Sequence, residues 1–120
     1  MDLNLKSKTI GATPPWLDST EGVRFLTGGV TINASAVTAV GGVKIVKSGT
    51  PLVKNGTKWE PSYGATNTPK AILWETLDVT NGDASGGAID HGRVRTAALP
   101  VTVHADAQAS LQAVGITFRA

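Results

Sequence analysis

The residue types of a hydrolase triad occur together between positions 85 and 91. Asp90 and His91 are adjacent, and Ser85 precedes them by a few residues. Nucleophilic catalysis would require the carboxylate to orient the imidazole, which would then take the proton of the serine hydroxyl. Neighbouring residues of a strand point to opposite faces, so Asp90 is not expected to orient His91. The Gly-x-Ser-x-Gly turn of many hydrolases is also absent. We interpret His91 as a hydrogen-bonded histidine and predict no catalytic residue, so the chain is not expected to be an enzyme.

The segment from Asp78 to Asp83 resembles a calcium-binding loop, because it places side-chain oxygens at short intervals before and after Gly82. Asp90 and His104 are further residues of the metal-ligating types. Calcium loops, however, carry more acidic residues and end in a bidentate glutamate. A turn in which the aspartates accept hydrogen bonds from the local backbone explains the pattern equally well. The sequence therefore predicts no metal site.

The glycine-rich run 82–87 has the composition of a phosphate-binding loop. Such loops open a helix and continue with Lys-Ser or Lys-Thr, and this run does neither. We interpret it as a flexible surface loop and predict no cofactor.

Three tryptophans, Trp16, Trp59 and Trp74, are a possible platform for stacking sugar rings. Trp59 and Trp74 lie in strand-like runs, where tryptophan more often belongs to a core or to a subunit interface. Sugar binding predicts exposed tryptophans on one face of the protein, so their positions distinguish the two interpretations.

Length and composition restrict the class of protein. The chain of 120 residues and 12.3 kDa fits one domain. It has no cysteine, which excludes a disulfide framework, thiol catalysis and a cysteine zinc site. Residues 1–58 carry seven basic and three acidic side chains, and residues 59–120 carry four and six. The basic residues are scattered rather than clustered with aromatic residues, so direct nucleic-acid binding is not expected.

The apolar residues occur in short runs only. None approaches the roughly 20 residues of a membrane span, and residues 1–15 lack the apolar centre of a signal peptide. We therefore expect no association with a membrane, and synthesis in the cytoplasm.

Residues 1–22 are predicted to form an extended arm rather than part of the folded body. Thr13-Pro14-Pro15 favours extended backbone, because each proline fixes its own φ and restricts the residue before it. Trp16-Leu17 is the most apolar point of this arm. Residues 23–120 are predicted to form a single β-rich domain.

The β-rich domain is predicted from short alternating runs separated by turns. Asn55-Gly56 is a strong hairpin signal between two of these runs. A longer strand is expected from Ala71 to Val79. One helix is expected over Ala105–Val114, where Ala107, Leu111 and Val114 share a face, with a closing strand over Ile116–Phe118. The pattern indicates a mainly-β barrel or clip with one short helix near the C-terminus.

The order of these short motifs along the chain resembles that of a known family. The motifs are Lys47 to Leu52, Asn55-Gly56, Ala71 to Leu73, Asp78 to Asp83, His91 to Val94, Leu99-Pro100, the alanine-rich helix and Gly115 to Phe118. In this order they resemble the head decoration proteins of tailed bacteriophages, the lambda-type capsid-stabilising family, over roughly residues 43–119. A weaker similarity runs from Trp16-Leu17-Asp18-Ser19 through Thr31-Ile32, where the resembling proteins have an arm with a tryptophan-leucine pair followed by the first strand.

The resemblance implies a small β-clip or β-tulip fold without catalysis. It implies binding to the major capsid protein on the outer surface of the expanded head, as a homotrimer at local three-fold positions. The location would be the virion, after synthesis in the cytoplasm of the bacterial host. The alternative is a β-rich module of a phage tail that binds carbohydrate or another surface.

In the resembling proteins the arm pairs with segments of the capsid protein. The expected capsid-binding residues here are therefore Leu3, Leu5, Ile10, Pro14, Pro15, Trp16 and Leu17. Trp16 is the expected anchor, so its replacement by alanine is expected to weaken attachment and to leave the melting point unchanged.

Overall fold

The structure is a computed structural model that describes residues 14–119, apart from the side chains of residues 19–21. Within this range the chain is mainly β, with 41% of residues in strands. The strands are β1 (Leu17–Phe25), β2 (Val30–Ile32), β3 (Ile45–Val46), β4 (Pro51–Asn55), β5 (Lys58–Pro61), β6 (Ala71–Leu73), β7 (Leu77–Asp78), β8 (Ala84–Gly86), β9 (Ala88–Arg95) and β10 (Ile116–Arg119). Helix α1 (Ala105–Val114) precedes β10, and short 3-10 turns cover Ala34–Ala36 and Thr96–Ala98.

Eight of the strands form one sheet. Its order is β1-β9-β6-β4-β5-β2-β8, and β10 pairs in parallel with β9. Strands β3 and β7 form a separate antiparallel pair. The hairpin predicted at Asn55-Gly56 is confirmed, because β4 and β5 pair antiparallel up to Asn55↔Lys58 and Gly56 has φ +68°.

Strand β6, an interior strand of the sheet, is buried on both faces. Leu73 packs into one apolar cluster with Ile32 and Leu52, whereas the adjacent Ile72 packs into a second cluster with Ile89. Successive residues of a strand point to opposite faces, so one short strand supplies both clusters.

The helix prediction over Ala105–Val114 is confirmed. His104 caps its first turn by accepting a hydrogen bond from the backbone N–H of Asp106 at its Nδ1 atom, 3.1 Å away. Ala107 and Leu111 are buried, and Gly115 ends the helix with φ +134°. Strand β10 follows directly, as predicted.

The predicted boundary between arm and body at residues 22 and 23 is wrong. Strand β1 begins at Leu17 and pairs with β9, and the backbone N–H of Arg95 donates to the carbonyl of Trp16 at 2.7 Å. Trp16 and Leu17 belong to the second apolar cluster. This strand could not be predicted from the sequence, because the four consecutive polar residues 18–21 break the alternation of apolar and polar positions that indicates a strand.

Two further expectations of the sequence are corrected. The strand expected from Ala71 to Val79 is divided into β6 and β7, because the chain bends at Trp74 and Glu75 and β7 then pairs with β3 outside the large sheet. The run interpreted as a flexible loop contains β8, which pairs antiparallel with β2. Its low intrinsic β propensity is outweighed by this pairing.

Candidate interaction surface

Trp16 lies in the core of the body and not on an exposed arm. Its ring is 1% exposed, and its Nε1 donates a hydrogen bond to Ser48 Oγ at 3.0 Å. The Ser48 hydroxyl donates in turn to the carbonyl of Trp74 at 2.6 Å. The two indole rings meet edge to face, with centroids 6.0 Å apart. A tryptophan held in this way cannot reach a partner surface, so the expectation of Trp16 as an exposed anchor is wrong.

Of the other expected arm residues, the structure describes only Pro14, Pro15 and Leu17. Pro14 and Leu17 are buried, and Pro15 is exposed. Leu17, like Trp16, belongs to the core, because its side chain is part of the second apolar cluster and its strand pairs with β9. Leu3, Leu5 and Ile10 lie outside the described residues, and their role stays a prediction.

Asp90 and His91 contact each other, contrary to the expectation from strand alternation. His91 Nδ1 lies 2.9 Å from Asp90 Oδ1. Arg24 pairs with His91 and Phe25 with Ile89, which leaves Asp90 as an extra residue at a β-bulge. A bulge breaks the alternation of side chains and re-aims them, which explains how neighbouring residues meet here.

The Asp90 carboxylate forms a bidentate ion pair with Arg24. The guanidinium donates from Nε at 3.1 Å and from Nη2 at 2.8 Å. These hydrogen bonds, supported by His91, lower the pKa of Asp90 to about 2 although its partial burial acts to raise it.

The third residue type of the triad lies elsewhere. Ser85 is on β8, where its hydroxyl is 2.8 Å from that of Thr31 on β2. His91 instead borders an open depression of about 430 Å³ beside Arg93, Gly115 and Thr117. The geometry does not bring Ser85, His91 and Asp90 together as a catalytic unit.

The aspartates of the calcium-like segment bind the protein itself. Asp78 accepts from the backbone N–H of Thr80 at 2.9 Å. Asp83 forms an ion pair with Lys58 at 2.6 Å and accepts from the backbone N–H of Ala34 at 2.8 Å. Hydrogen bonds from Thr80 lower the pKa of Asp78, and those from Lys58 and then Ala34 lower the pKa of Asp83.

Among the residues that the structure describes, no three histidine, aspartate or glutamate side chains are grouped as metal ligands. In the glycine-rich run, the backbone N–H of Gly87 is already used within the protein, because it donates to Glu75 Oε2 at 3.1 Å.

The three tryptophans do not form one platform. Trp59 packs against the first apolar cluster, whereas Trp16 and Trp74 belong to or pack against the second. Phe25 covers Trp74, with ring centroids 4.8 Å apart. Both Trp59 and Trp74 are half-buried, as expected of residues at the margin of a core.

Exposed apolar side chains are concentrated around one groove. Val40, Ile45 and Tyr63 are 75%, 39% and 37% exposed and line a groove of about 540 Å³. Val43, 45% exposed, pairs with Val40 across a two-residue turn. We call this feature the apolar groove. Polar residues, among them Lys47 and Asn67, share the lining of the groove. Exposed apolar side chains grouped around a groove are a common feature of interaction sites.

The turn at Gly41-Gly42 presents Val40 to the solvent. Both glycines have positive φ, at +62° and +85°, which is the geometry of a tight hairpin turn. Val-Gly-Gly-Val is the sequence signal of this hairpin, because two glycines adopt positive φ without strain.

The apolar groove also contains a buried hydroxyl without a partner. Ser62 is 3% exposed and lines the groove, and no described residue forms a hydrogen bond with its Oγ. An unsatisfied buried hydroxyl costs about 1–3 kcal/mol, so Ser62 reduces the stability of the fold at this point.

A second, smaller cavity of about 390 Å³ adjoins the apolar groove. The two share Ile45, Lys47 and Pro100 in their linings, and Pro15 borders the smaller one. The apolar surface therefore extends to the point where the described part of the chain begins.

No helix in the described part of the chain has the length and apolar character needed to cross a membrane. No protein-family model matches the chain, and neither a curated protein nor a solved structure matches it.

Proposed function

We propose that this protein is a capsid decoration protein of a tailed bacteriophage, which binds the outer surface of the expanded head. The observation that carries the proposal is the placement of the resembling motifs. The segments Lys47 to Leu52, Ala71 to Leu73 and His91 to Val94 contribute to β4, β6 and β9, which are neighbours in one sheet. Motifs that keep a fixed order in a family are expected to lie together in one structural unit. These three segments lie on adjacent strands of one sheet.

The chemistry of the polar residues supports a binding role. The three aspartates that could have served as catalytic or metal-binding groups each have a partner within the protein. Asp90 pairs with Arg24, Asp83 with Lys58, and Asp78 with Thr80. Catalytic acids and bases instead face a substrate site in a cleft. The apolar groove is a further feature of a protein that acts through contact.

The proposed mechanism is stabilisation by mass action. A protein that binds the expanded shell, and not the unexpanded one, shifts the equilibrium towards the expanded form. Many copies, proposed to be trimers at local three-fold positions, would together resist the outward pressure of packaged DNA. Contact with the major capsid protein is proposed for Leu3, Leu5 and Ile10, since Trp16 and Leu17 are buried in the body.

Binding to capsids tests the proposal directly. Purified protein is mixed with undecorated capsids of the same phage, expanded or unexpanded, and bound protein is measured after sedimentation. We expect saturable binding to expanded capsids only, together with a higher temperature of capsid disruption. Absence of binding to expanded capsids, or equal binding to both forms, would contradict the proposal.

A matched pair of variants tests the arm separately. Leu5→Asp is expected to weaken binding about 30-fold, the loss of a typical interface anchor of about 2 kcal/mol. Asn4→Asp introduces the same charge at the neighbouring polar position, which in extended backbone points away from the face of Leu5. It is expected to bind as the unaltered protein does. Equal binding of the two variants would reject the arm as the contact and leave decoration itself standing. A glycan-binding assay on the same protein covers the alternative of a carbohydrate-binding tail module.

A further inference from the structure

All the arginines of the chain lie on three neighbouring strands. Strands β1 and β10 both pair with β9, and no lysine belongs to any of the three. The arginines are Arg24 of β1, Arg93 and Arg95 of β9, and Arg119 of β10. Strand pairing thus brings together positive charges that are far apart in the sequence.

Three of these arginines share one face of the sheet. Arg93 and Arg95 are alternate residues of β9, so their side chains point to the same side. On β10, Thr117 is the register partner of Arg93, and Arg119 is that of Arg95. Register partners in neighbouring strands point the same way. We call these four exposed side chains the arginine face; they are Arg93, Arg95, Thr117 and Arg119.

The opposite face of the same two strands belongs to the core. Val94 is part of the second apolar cluster, and Phe118 packs against that cluster. The fold therefore holds the backbone beneath the arginine face in place, and the arginine side chains extend from a fixed support.

A recessed carboxylate orients two of the guanidinium groups. Asp18 accepts from Nη1 of Arg119 at 3.0 and 3.2 Å, and its Oδ1 lies 3.6 Å from Nε of Arg95. The side chain of Asp18 is 11% exposed, whereas those of Arg95 and Arg119 are 55% and 66% exposed. A guanidinium has five N–H donors, so Asp18 uses only part of the donors of the two arginines. One carboxylate between two guanidinium groups also leaves a positive charge in excess.

The geometry of the arginine face fits a partner that carries carboxylates. The planar fork of a guanidinium matches a carboxylate through two parallel hydrogen bonds. Residues two apart in a strand are about 6.6 Å apart, which is the spacing expected of Arg93 and Arg95. An extended segment with acidic residues at alternate positions presents its carboxylates on one side at the same spacing.

The arginine face is less suitable for nucleic acid. Single strands bind through aromatic rings on which the bases stack. The aromatic rings of these three strands lie elsewhere, because Phe118 packs against the apolar cluster and Phe25 covers Trp74. Duplex DNA is bound through many cationic contacts with phosphates, whereas Asp18 offsets part of the positive charge here.

We propose that the arginine face binds an extended acidic segment of a protein partner. Carboxylates at alternate positions of the segment pair with Arg93 and Arg95, and Arg119 and the hydroxyl of Thr117 donate further hydrogen bonds to it. The inference rests on the arginine face itself and not on the proposed attachment to capsids.

Two synthetic peptides of the same composition test the proposal. One alternates glutamate with threonine, and the other carries its glutamates in one block. Each is titrated into isotope-enriched full-length protein, and the amide NMR signals of Arg93, Arg95 and Arg119 are followed. We expect saturable shifts with the alternating peptide and about two- to fivefold weaker binding of the block peptide, the loss of one exposed ion pair. The signal of Lys54 serves as the reference, because β6 separates β4 from β9 in the sheet.

Matched charge reversals establish whether the arginine face directs the binding. Arg93→Glu is expected to weaken binding of the alternating peptide at least about fivefold, since an attraction becomes a repulsion. Lys54→Glu changes the net charge by the same amount at an exposed position of β4 and is expected to bind as the unaltered protein does. Arg93→Gln removes the charge alone and should weaken binding by a smaller factor. The melting temperature of each variant shows whether the fold is intact.

Three results would overturn the inference. The first is the absence of shifts at the arginine face with the alternating peptide, or equal affinity for the two peptides. The second is an equal loss in Arg93→Glu and Lys54→Glu, which would indicate general attraction to a basic protein. The third is tighter binding of a DNA oligonucleotide than of the alternating peptide at the arginine face and at the same salt concentration, which would assign this face to nucleic acid.

Discussion

At the scale of single residues, Trp16 combines burial with a specific hydrogen bond. Its indole ring fills the second apolar cluster, and its N–H is satisfied by Ser48, which bonds in turn to the carbonyl of Trp74. Burial of a tryptophan stabilises the fold when its N–H has a hydrogen-bond partner. These contacts connect the first described residues of the chain to the segment that precedes β4.

Replacement of Trp16 by alanine is therefore expected to destabilise the protein. Removal of a large buried ring costs about 3–5 kcal/mol, through lost transfer energy and the cavity that remains. The free energy of unfolding is measured by urea denaturation followed by circular dichroism. Lys54→Ala, at an exposed position of β4, is the control and should leave stability unchanged. An unaltered midpoint of urea denaturation in Trp16→Ala would show that Trp16 does not contribute to the core and belongs to an arm instead.

A second prediction concerns acid stability. The pKa of Asp90 is about 2 in the folded protein, chiefly because of the hydrogen bonds from Arg24, and is about 4 in an unfolded chain. The ionised carboxylate thus stabilises the fold above pH 4, and this contribution is lost as the pH falls from about 4 to about 2.

Arg24→Ala is expected to raise the pKa of Asp90 towards its ordinary value and to reduce the fall in stability over this pH range. The carboxyl carbon signal of Asp90 in an NMR titration measures the pKa, and urea denaturation at several pH values measures stability. Arg95→Ala is the control, because Arg95 pairs with Asp18 instead. An unchanged pKa in Arg24→Ala would show that Arg24 is not the cause.

At the scale of elements, the junction between α1 and β10 is packed against β9. Gly115 ends the helix, and a Cβ atom at this position would lie 2.5 Å from His91 Cδ2. The His91 ring is itself held by Asp90 at the bulge of β9. A side chain at residue 115 would therefore displace the ring or the helix end.

Gly115→Ala is expected to destabilise the protein more than Gly82→Ala. The two glycines have similar φ, +134° and +143°, but a Cβ at Gly82 would meet no atom within 4 Å. Both substitutions incur backbone strain of about 1–3 kcal/mol, and Gly115→Ala should lose a further 1–3 kcal/mol or so through overpacking. Thermal and urea denaturation measure the difference.

The double variant His91→Ala/Gly115→Ala identifies the origin of that difference. Removal of the ring should abolish most of the additional loss relative to His91→Ala alone, because the clashing atoms are gone. Equal losses in Gly115→Ala and Gly82→Ala would show that the ring moves aside without cost.

At the scale of the whole molecule, the two apolar clusters lie on opposite faces of the sheet and share its strands. Ile72 and Leu73, adjacent in β6, are both fully buried and point into different clusters. Strand β9 also serves both, through Ala88 on one side and Ile89 on the other. Because the two clusters share strands, neither is expected to unfold alone.

Ile72→Ala and Leu73→Ala should each destabilise the protein by about 2–5 kcal/mol and preserve a single unfolding transition. Unfolding is followed by calorimetry and by amide exchange at Leu52 and Val94, which report on the two clusters. Lys70→Ala, at an exposed position beside β6, is the control. A second transition, or loss of protection in one cluster only, would show that the two halves unfold independently.

The sequence by itself determined the features that depend on neighbouring residues. Helix Ala105–Val114, its end at Gly115 and the Asn55-Gly56 hairpin were predicted correctly, because helix propensity and turn chemistry act over a few residues. The mainly-β class followed from the alternating runs. The assignment to phage decoration proteins rests on the order of motifs and stays a prediction.

The tertiary structure decided the features that depend on residues distant in sequence. Trp16 belongs to the core because Ser48 and Trp74 surround it, 32 and 58 residues later in the chain. β8 is a strand because it pairs with β2, where Thr31 and Ser85 are 54 residues apart. The apolar groove likewise joins side chains from separate segments of the chain, among them Ile45 of β3 and Tyr63. Local preferences of a few tenths of a kcal/mol are outweighed at such positions by burial and backbone pairing, which act only once the chain has folded.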